Sequence, residues 1–402
     1  RVVGIEIIID NVALSEIVIA SLLPVIEKPT RLAPPVGSVE RFPIRTNQPF
    51  LFGYVLRASA RVEIENIEIL GDSQRRFFGG IRLEAGADGS VLRGVRVDRV
   101  RSYGIRVTDV NDVVIEPSAD FPVVVTRSGF GESVDNPSFT PGISISDVID
   151  VTVRGTYLGI EESGGAAGNC TYGIDVNGSS LVVIGGNANN ANQRNVIGDN
   201  RFGGVRVRDS TLVTISGNYI GVAADGATVH GNGLGSVCLA APMPSRFEVA
   251  GVVVLGSDFV SLGEGTAPNT GSFIVGNGSG VRIDDSQSVT LLRNRIGVRP
   301  DNGESPNIGN AIRVMNGSGT AGRVLIGSED HARSNWIVGG GSSTDGVFID
   351  ITSGEVRLRT NRIFGFRANG DEAIQHFGSP VAPVVTEADS DTGVIAGLFP
   401  TA

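Results

Sequence analysis

The amino-acid sequence predicts an all-β solenoid whose short strands stack coil upon coil, and a unit near mid-chain carries the prediction. Residues 203–226 read GGVRVRDSTLVTISGNYIGVAADG. Three apolar runs, Val205/Val207, Leu212/Val213/Ile215 and Tyr219/Ile220, alternate or nearly so, each bounded by Gly, Asp, Ser or Asn and none long enough for a helix. The unit returns with a strand-opening residue at Gly80, Gly104, Gly142, Gly173, Gly204, Gly251, Gly280, Ala311 and Gly346, at spacings of 24, 38, 31, 31, 47, 29, 31 and 35 residues. Phase is kept while one connection per repeat varies, which is the mark of a repeat array. Glycine, at 56 of 402 residues, supplies the tight turns such an array needs.

Taken in order, residues 1–50 are the least regular. Residues 4–10 alternate like a strand, while 13–27 fit either a strand pair or an amphipathic helix with Leu14, Ile17, Val18, Leu22 and Ile26 on one face. The region is expected to form the first coil and an end cap, since a solenoid's open edge needs cover. Residues 51–373 form the array, with Ile81, Ile105, Ile143, Ile174, Val205, Val252, Val281, Ile312 and Val347 as the inward column. About ten coils at about 4.8 Å each make a rod near 50 Å long. Residues 374–402, with Pro380, Pro383 and Pro400, read as a tail linking to a further module.

Charge and composition narrow the function classes. A net charge of −10 argues against a nucleic-acid partner, and no apolar run is long enough to span a membrane. Lys28 is the only lysine, so positive charge is almost all arginine, which suits planar bidentate partners or reflects codon usage. The sequence opens at Arg1 without a recognisable leader, and so reads as a processed form or a fragment from which any export signal would already be gone. Cys170 and Cys238 lie two coils apart, about 10 Å along the axis, so a bridge would need long loops to close it; a disulfide and two separate buried thiols both stay open.

Aligned by their opening glycines, the coils place Asn66, Asn195, Asn218, Asn294, Asn335 and Asn361 in one column before the third strand, with Thr156 and Ser272 in equivalent places. Stacked asparagines can pass side-chain hydrogen bonds up the axis, which favours a structural role. With these motifs the chain resembles the right-handed parallel β-helix repeat proteins, among them pectate lyases, polygalacturonases, alginate epimerases and phage tailspikes. More specifically, the N-x-I-G motif with D-G and G-N loops, as in NYIGVAADGATVHGNG and NRIGVRPDNGESPNIGN, looks like the repeats of large secreted bacterial surface proteins. The resemblance spans about residues 49–370. It implies a right-handed single-stranded parallel β-helix with three strands per coil in about ten coils.

Candidate sites follow from that geometry. Outward positions of the first strand are Arg82, Arg106, Ser144, Asp175, Arg206, Val253, Arg282, Arg313 and Phe348. Five arginines in one column would repel unless acids intervene or an anionic polymer lies along them. Acids do intervene, at Glu84, Asp109, Asp175, Asp209, Asp284 and Asp285. A solvated mixed-charge face and a groove for acidic polysaccharide along Arg82, Arg106, Arg206, Arg282 and Arg313 are the two readings. The Asp284–Asp285 pair is similar to the adjacent aspartates of polygalacturonases, yet that family's Asn-Thr-Asp, Gly-His-Gly and Arg-Ile-Lys elements are missing, as is the Asp-Pro-His-Asp of alginate epimerases. His230, His331 and His376 sit in three different connections and suggest neither a metal cluster nor a proton relay. Asp225, Asp301 and Glu304 lie in glycine-containing loops where calcium could bind; turn formation is the competing reading. The insertion at 229–250, with Leu239, Met243, Pro244 and Phe247, could wall a cleft or meet another subunit.

The preferred expectation is a secreted or cell-surface structural or adhesin-type module, non-catalytic and without a required cofactor, whose partners are copies of itself, another surface protein or a glycan. The alternative is a carbohydrate-active enzyme, lyase or glycosidase, acting on an acidic polysaccharide.

Overall fold

A computed structural model describes residues 5–8, 17–19, 23–34, 38, 40–46, 50–129, 140–234, 249–264, 269–315, 323–339, 346–350, 355–364, 374–377, 384–389 and 394–399. It is a right-handed parallel β-helix. Strands of successive coils pair in parallel along three faces. The first sheet runs from Phe50–Ala58 through eleven strands to Ile374–Phe377. The second runs from Ile5–Ile8 and the third from Ile17–Ile19, and both end on the long strand Glu355–Phe364, which merges them into one sheet.

Packing follows from register. Leu56, Ile81, Ile105, Ile143, Ile174, Val205, Val252, Val281, Ile312 and Val347 are consecutive partners in the first sheet. All belong to one continuous buried cluster running the length of the rod. Each side chain stacks on its counterpart one coil away and is withdrawn from water, a contribution of about 1.5–3 kcal/mol apiece. The repeated glycine has a packing cause. A Cβ on Gly280 would run into the Ala311 carbonyl and into Cγ2 of Ile296, the isoleucine of the N-x-I-G motif that follows in the same coil.

Where the chain bends between sheets, strand carbonyls lose their ladder partners and polar side chains replace them. At the entry to the third sheet the column is Thr156, Asn195, Asn218, Ser272, Asn294, Asn335 and Asn361. Asn195 Nδ2 donates to Asn218 Oδ1 at 2.9 Å and to the Val153 carbonyl at 3.0 Å; Asn335 Nδ2 donates to Asn361 Oδ1 at 2.9 Å and to the Leu291 carbonyl at 2.8 Å. A second column, Asn169, Asn200, Asn232, Asn277 and Asn307, does the same between the third and first sheets, with Nδ2 to Oδ1 distances of 2.9, 2.9, 2.9 and 3.1 Å. Serines make the remaining corner: Ser179, Ser210, Ser257 and Ser286 accept backbone N–H bonds from the coil before, at 3.1–3.4 Å.

Three expectations need correction. Asn66 is not in the asparagine ladder: register places Ile67 in that column and Asn66 one residue earlier, in line with Gly94 and Gly155. It occupies a left-handed turn (φ 53°), as those glycines do at 56° and 60°, and its Oδ1 accepts no bond. The helical alternative at 13–27 fails where it is described, because Ile17–Ile19 is a strand. The coil also extends beyond residue 373. Ile374–Phe377 pairs with Val347–Asp350, and Val394–Phe399 runs antiparallel to Glu355–Phe364 with Val384–Asp389 beside it, so this part of the expected linker closes the sheet.

Truncating Asn200 to Ala removes the partner of Asn169 and of Asn232 and strands two buried amides, each worth about 1–3 kcal/mol. Chemical denaturation should show a loss of at least about 2 kcal/mol. Asn66→Gly, at a position already left-handed, should stay within about 0.5 kcal/mol of the parent.

Candidate glycan-contact face

The first-sheet arginines share a column, but their charges are mostly spoken for. Arg206 is buried and makes two bonds to Asp175 of the preceding coil, Nε to Oδ1 at 2.7 Å and Nη2 to Oδ2 at 2.8 Å. Arg282 closes on Asp284 Oδ2 at 2.6 and 2.9 Å. Arg82 pairs with Glu84 at 3.0 Å, and Arg57 reaches the same carboxylate at 2.9 Å. Arg106 and Arg313 instead lie over Tyr103 and Phe348, with centroid distances of 5.0 and 5.1 Å. Six coils, about 29 Å, separate these two, so the column is not a continuous anion track.

The remaining sequence candidates resolve into turns and structural pairs. Asp284 is held by Arg282, while Asp285 sits in a left-handed turn at φ 46°. Asp225 accepts from the N–H groups of Ala227 and Thr228 and from the Thr228 hydroxyl, bonds that hold its carboxyl below the usual range. Asp301 accepts from Gly303 N–H and pairs with Arg299, and Val298 bridges to Glu304. No group of three or more metal-binding side chains occurs among the described residues. His230 and His331 lie on separate connections, and the His376 side chain lies outside the described residues. Leu239, Met243, Pro244 and Phe247 are likewise outside. Cys170 is buried and disulfide-bonded; Cys238, the other cysteine, lies outside the described residues.

Sequence reasoning missed an ion network near the N-terminal end of the third sheet. Arg41, Arg96 and Arg127 hold Glu161, Glu162 and Asp98, clamping the 159–166 connection to the sheet. Burial pushes the neighbouring Glu68 carboxyl up despite Arg41 beside it.

It also missed the strip on the outer face of the third sheet. There the variable residue of N-x-I-G points outward, giving the register column Tyr157, Val196, Tyr219, Phe273, Arg295, Trp336 and Arg362. Tyr219 meets Phe273 edge to face at 5.3 Å, and Arg194 lies 4.2 Å above the Tyr219 ring. Arg295 lies between Phe273 at 5.3 Å and Trp336 at 4.9 Å, and Arg362 covers Trp336 at 5.0 Å. From Phe273 to Arg362 rings and guanidinium groups therefore alternate up the axis, each contact worth about 0.5–2 kcal/mol. Over Phe273, Arg295 and Trp336 opens a groove of about 500 Å³, walled by Ala188, Asn189, Asn269 and Arg293 and by the turn containing His331 and Ser334. Apolar ring edges beside amide and guanidinium donors are a surface that the apolar patches and hydroxyl groups of a sugar can meet.

No protein-family model matches the chain, and no curated protein matches its sequence. Among solved structures, the surface adhesin PfbA of Streptococcus pneumoniae is 13% identical, with 94% of this chain and 89% of that one covered and a TM-score of 0.51. The A-module of the mannuronan C-5 epimerase AlgE4 from Azotobacter vinelandii is 14% identical, over 88% of this chain and 87% of that one, at a TM-score of 0.42. At these identities the likeness shows the parallel β-helix and nothing finer.

Arg206→Ala leaves Asp175 buried without its cation and should cost about 3–5 kcal/mol in chemical denaturation. The double change Arg206→Met with Asp175→Leu should recover most of it. A single-variant loss under about 1 kcal/mol would show that the pair is not structural.

Proposed function

We propose that the chain is a secreted or cell-surface module of adhesin type, non-catalytic, that contacts glycan chains along the outer face of its third sheet. The observation that carries this reading is the aromatic and arginine strip, whose Phe273, Arg295 and Trp336 line the groove while most first-sheet arginines are engaged by carboxylates. A ridge of rings and guanidinium groups parallel to the rod axis suits an extended chain lying along the solenoid. The Cys170 disulfide supports an oxidising compartment outside the cytosol. Engagement of Asp284 by Arg282 speaks against the polygalacturonase-like alternative. No helix of the described residues is long and apolar enough to cross a membrane, and the chain's net charge of −10 gives no general attraction for nucleic acid.

A glycan array followed by isothermal titration checks the reading. Trp336→Ala and Phe273→Ala should each weaken binding about tenfold, or about 1.4 kcal/mol, with unchanged circular dichroism. Bound chains recovered after long incubation should keep their length and show no unsaturated ends. Shortened or unsaturated products would instead support the enzymatic alternative.

A further inference from the structure

Resting on the glycan-contact reading, we propose that the groove takes an acidic glycan, one whose sugars carry carboxylate or sulfate groups, and that Arg295 receives the anion. The contrast with other arginines of the rod carries the inference. Arg154, Arg127, Arg206 and Arg282 each meet a carboxylate within 2.6–2.7 Å. Arg295 meets none among the described residues: its one side-chain hydrogen bond there is from Nη1 to the neutral Asn302 Oδ1, at 2.6 Å. The planar cation is held between two rings that strip water from it, and burial lowers its proton affinity with only the more distant Tyr219 opposing. A cation desolvated in this way is compensated by the ring faces and one amide, and an incoming anion would complete the balance.

Neighbouring groups point the same way. Arg194 gives Nη1 to the Ala188 carbonyl and, among the described residues, has a buried Nε without an acceptor and meets no carboxylate. The groove lining contains Arg293, Arg295 and His331 and neither Asp nor Glu. The nearest acid in sequence to that lining turn, Asp330, is drawn into the turn by the Ala332 N–H at 2.9 Å. This positive strip stands on a chain whose net charge is −10, so it is a local arrangement, not a consequence of composition.

Trp336 is the only tryptophan, so its fluorescence reports on this groove alone. The test titrates the intact chain at low ionic strength with hyaluronan oligosaccharides, chito-oligosaccharides of the same length and oligothymidylate. The uronate-bearing oligosaccharide should bind at least about tenfold more tightly than the neutral one and weaken as salt is added. Arg295→Gln should abolish that preference while leaving neutral binding in place. Arg362→Gln, at an exposed position that does not risk folding, should reduce it. Equal affinity for acidic and neutral chains overturns this inference and leaves the glycan reading standing. Silence toward every oligosaccharide overturns both. Tighter binding of oligothymidylate than of any glycan also overturns it and assigns the strip to single-stranded nucleic acid.

Discussion

The fold depends on keeping every coil directly above the last, and the hydrogen bonds at the bends are what make one register better than another. Stacked aliphatic side chains alone would tolerate slippage, because Val, Ile and Leu are nearly interchangeable along the inward column. An asparagine amide is not tolerant. Its Nδ2 must meet both an Oδ1 one coil on and a strand carbonyl one coil back, as Asn277 does with Asn307 at 3.1 Å and Ile220 at 3.1 Å. A shift of one residue would bury those groups without partners, at a cost far above that of a misplaced methyl group.

Fixing register at the corners fixes what the outer faces present. Because Asn and Ile of the N-x-I-G motif both point inward, one to the ladder and one against the glycine of the next sheet, the residue between them must point out. The motif therefore delivers one side chain per coil to a single outward line, spaced by the rise of the solenoid. Aromatic residues and arginine accumulate on that line in the later coils, where Tyr219, Phe273, Arg295, Trp336 and Arg362 lie. The interior chemistry is repetitive, and the face is free to specialise.

The inward column and strand phase were legible because burial imposes a strict alternation that survives variable loops. The first asparagine column was legible except at Asn66, since asparagine suits a left-handed turn and a ladder equally well and only pairing tells them apart. The second column escaped because its members follow no single motif, Asn200 coming after Asp199 and Asn307 after Pro306. Its signal was present in the Gly168-Asn169, Gly231-Asn232 and Gly276-Asn277 dipeptides. The arginine column was read correctly as a line but not as a set of pairs, because Asp175 and Arg206 meet only across a coil boundary 31 residues long. Counting the residue inside N-x-I-G, not the motif around it, would have found the third-sheet strip.

Hydrogen exchange at single-amide resolution tests the central claim most directly. The amides of Thr156, Ser272, Asn294, Asn169 and Asn232 donate to ladder side chains and not to backbone carbonyls. If the side-chain columns hold the coils in register, these amides should exchange as slowly as those of Val205 and Val252 in the adjoining sheet. Exchange at the rate of exposed turns, with the strand amides still protected, would mean that the stack keeps its register without them.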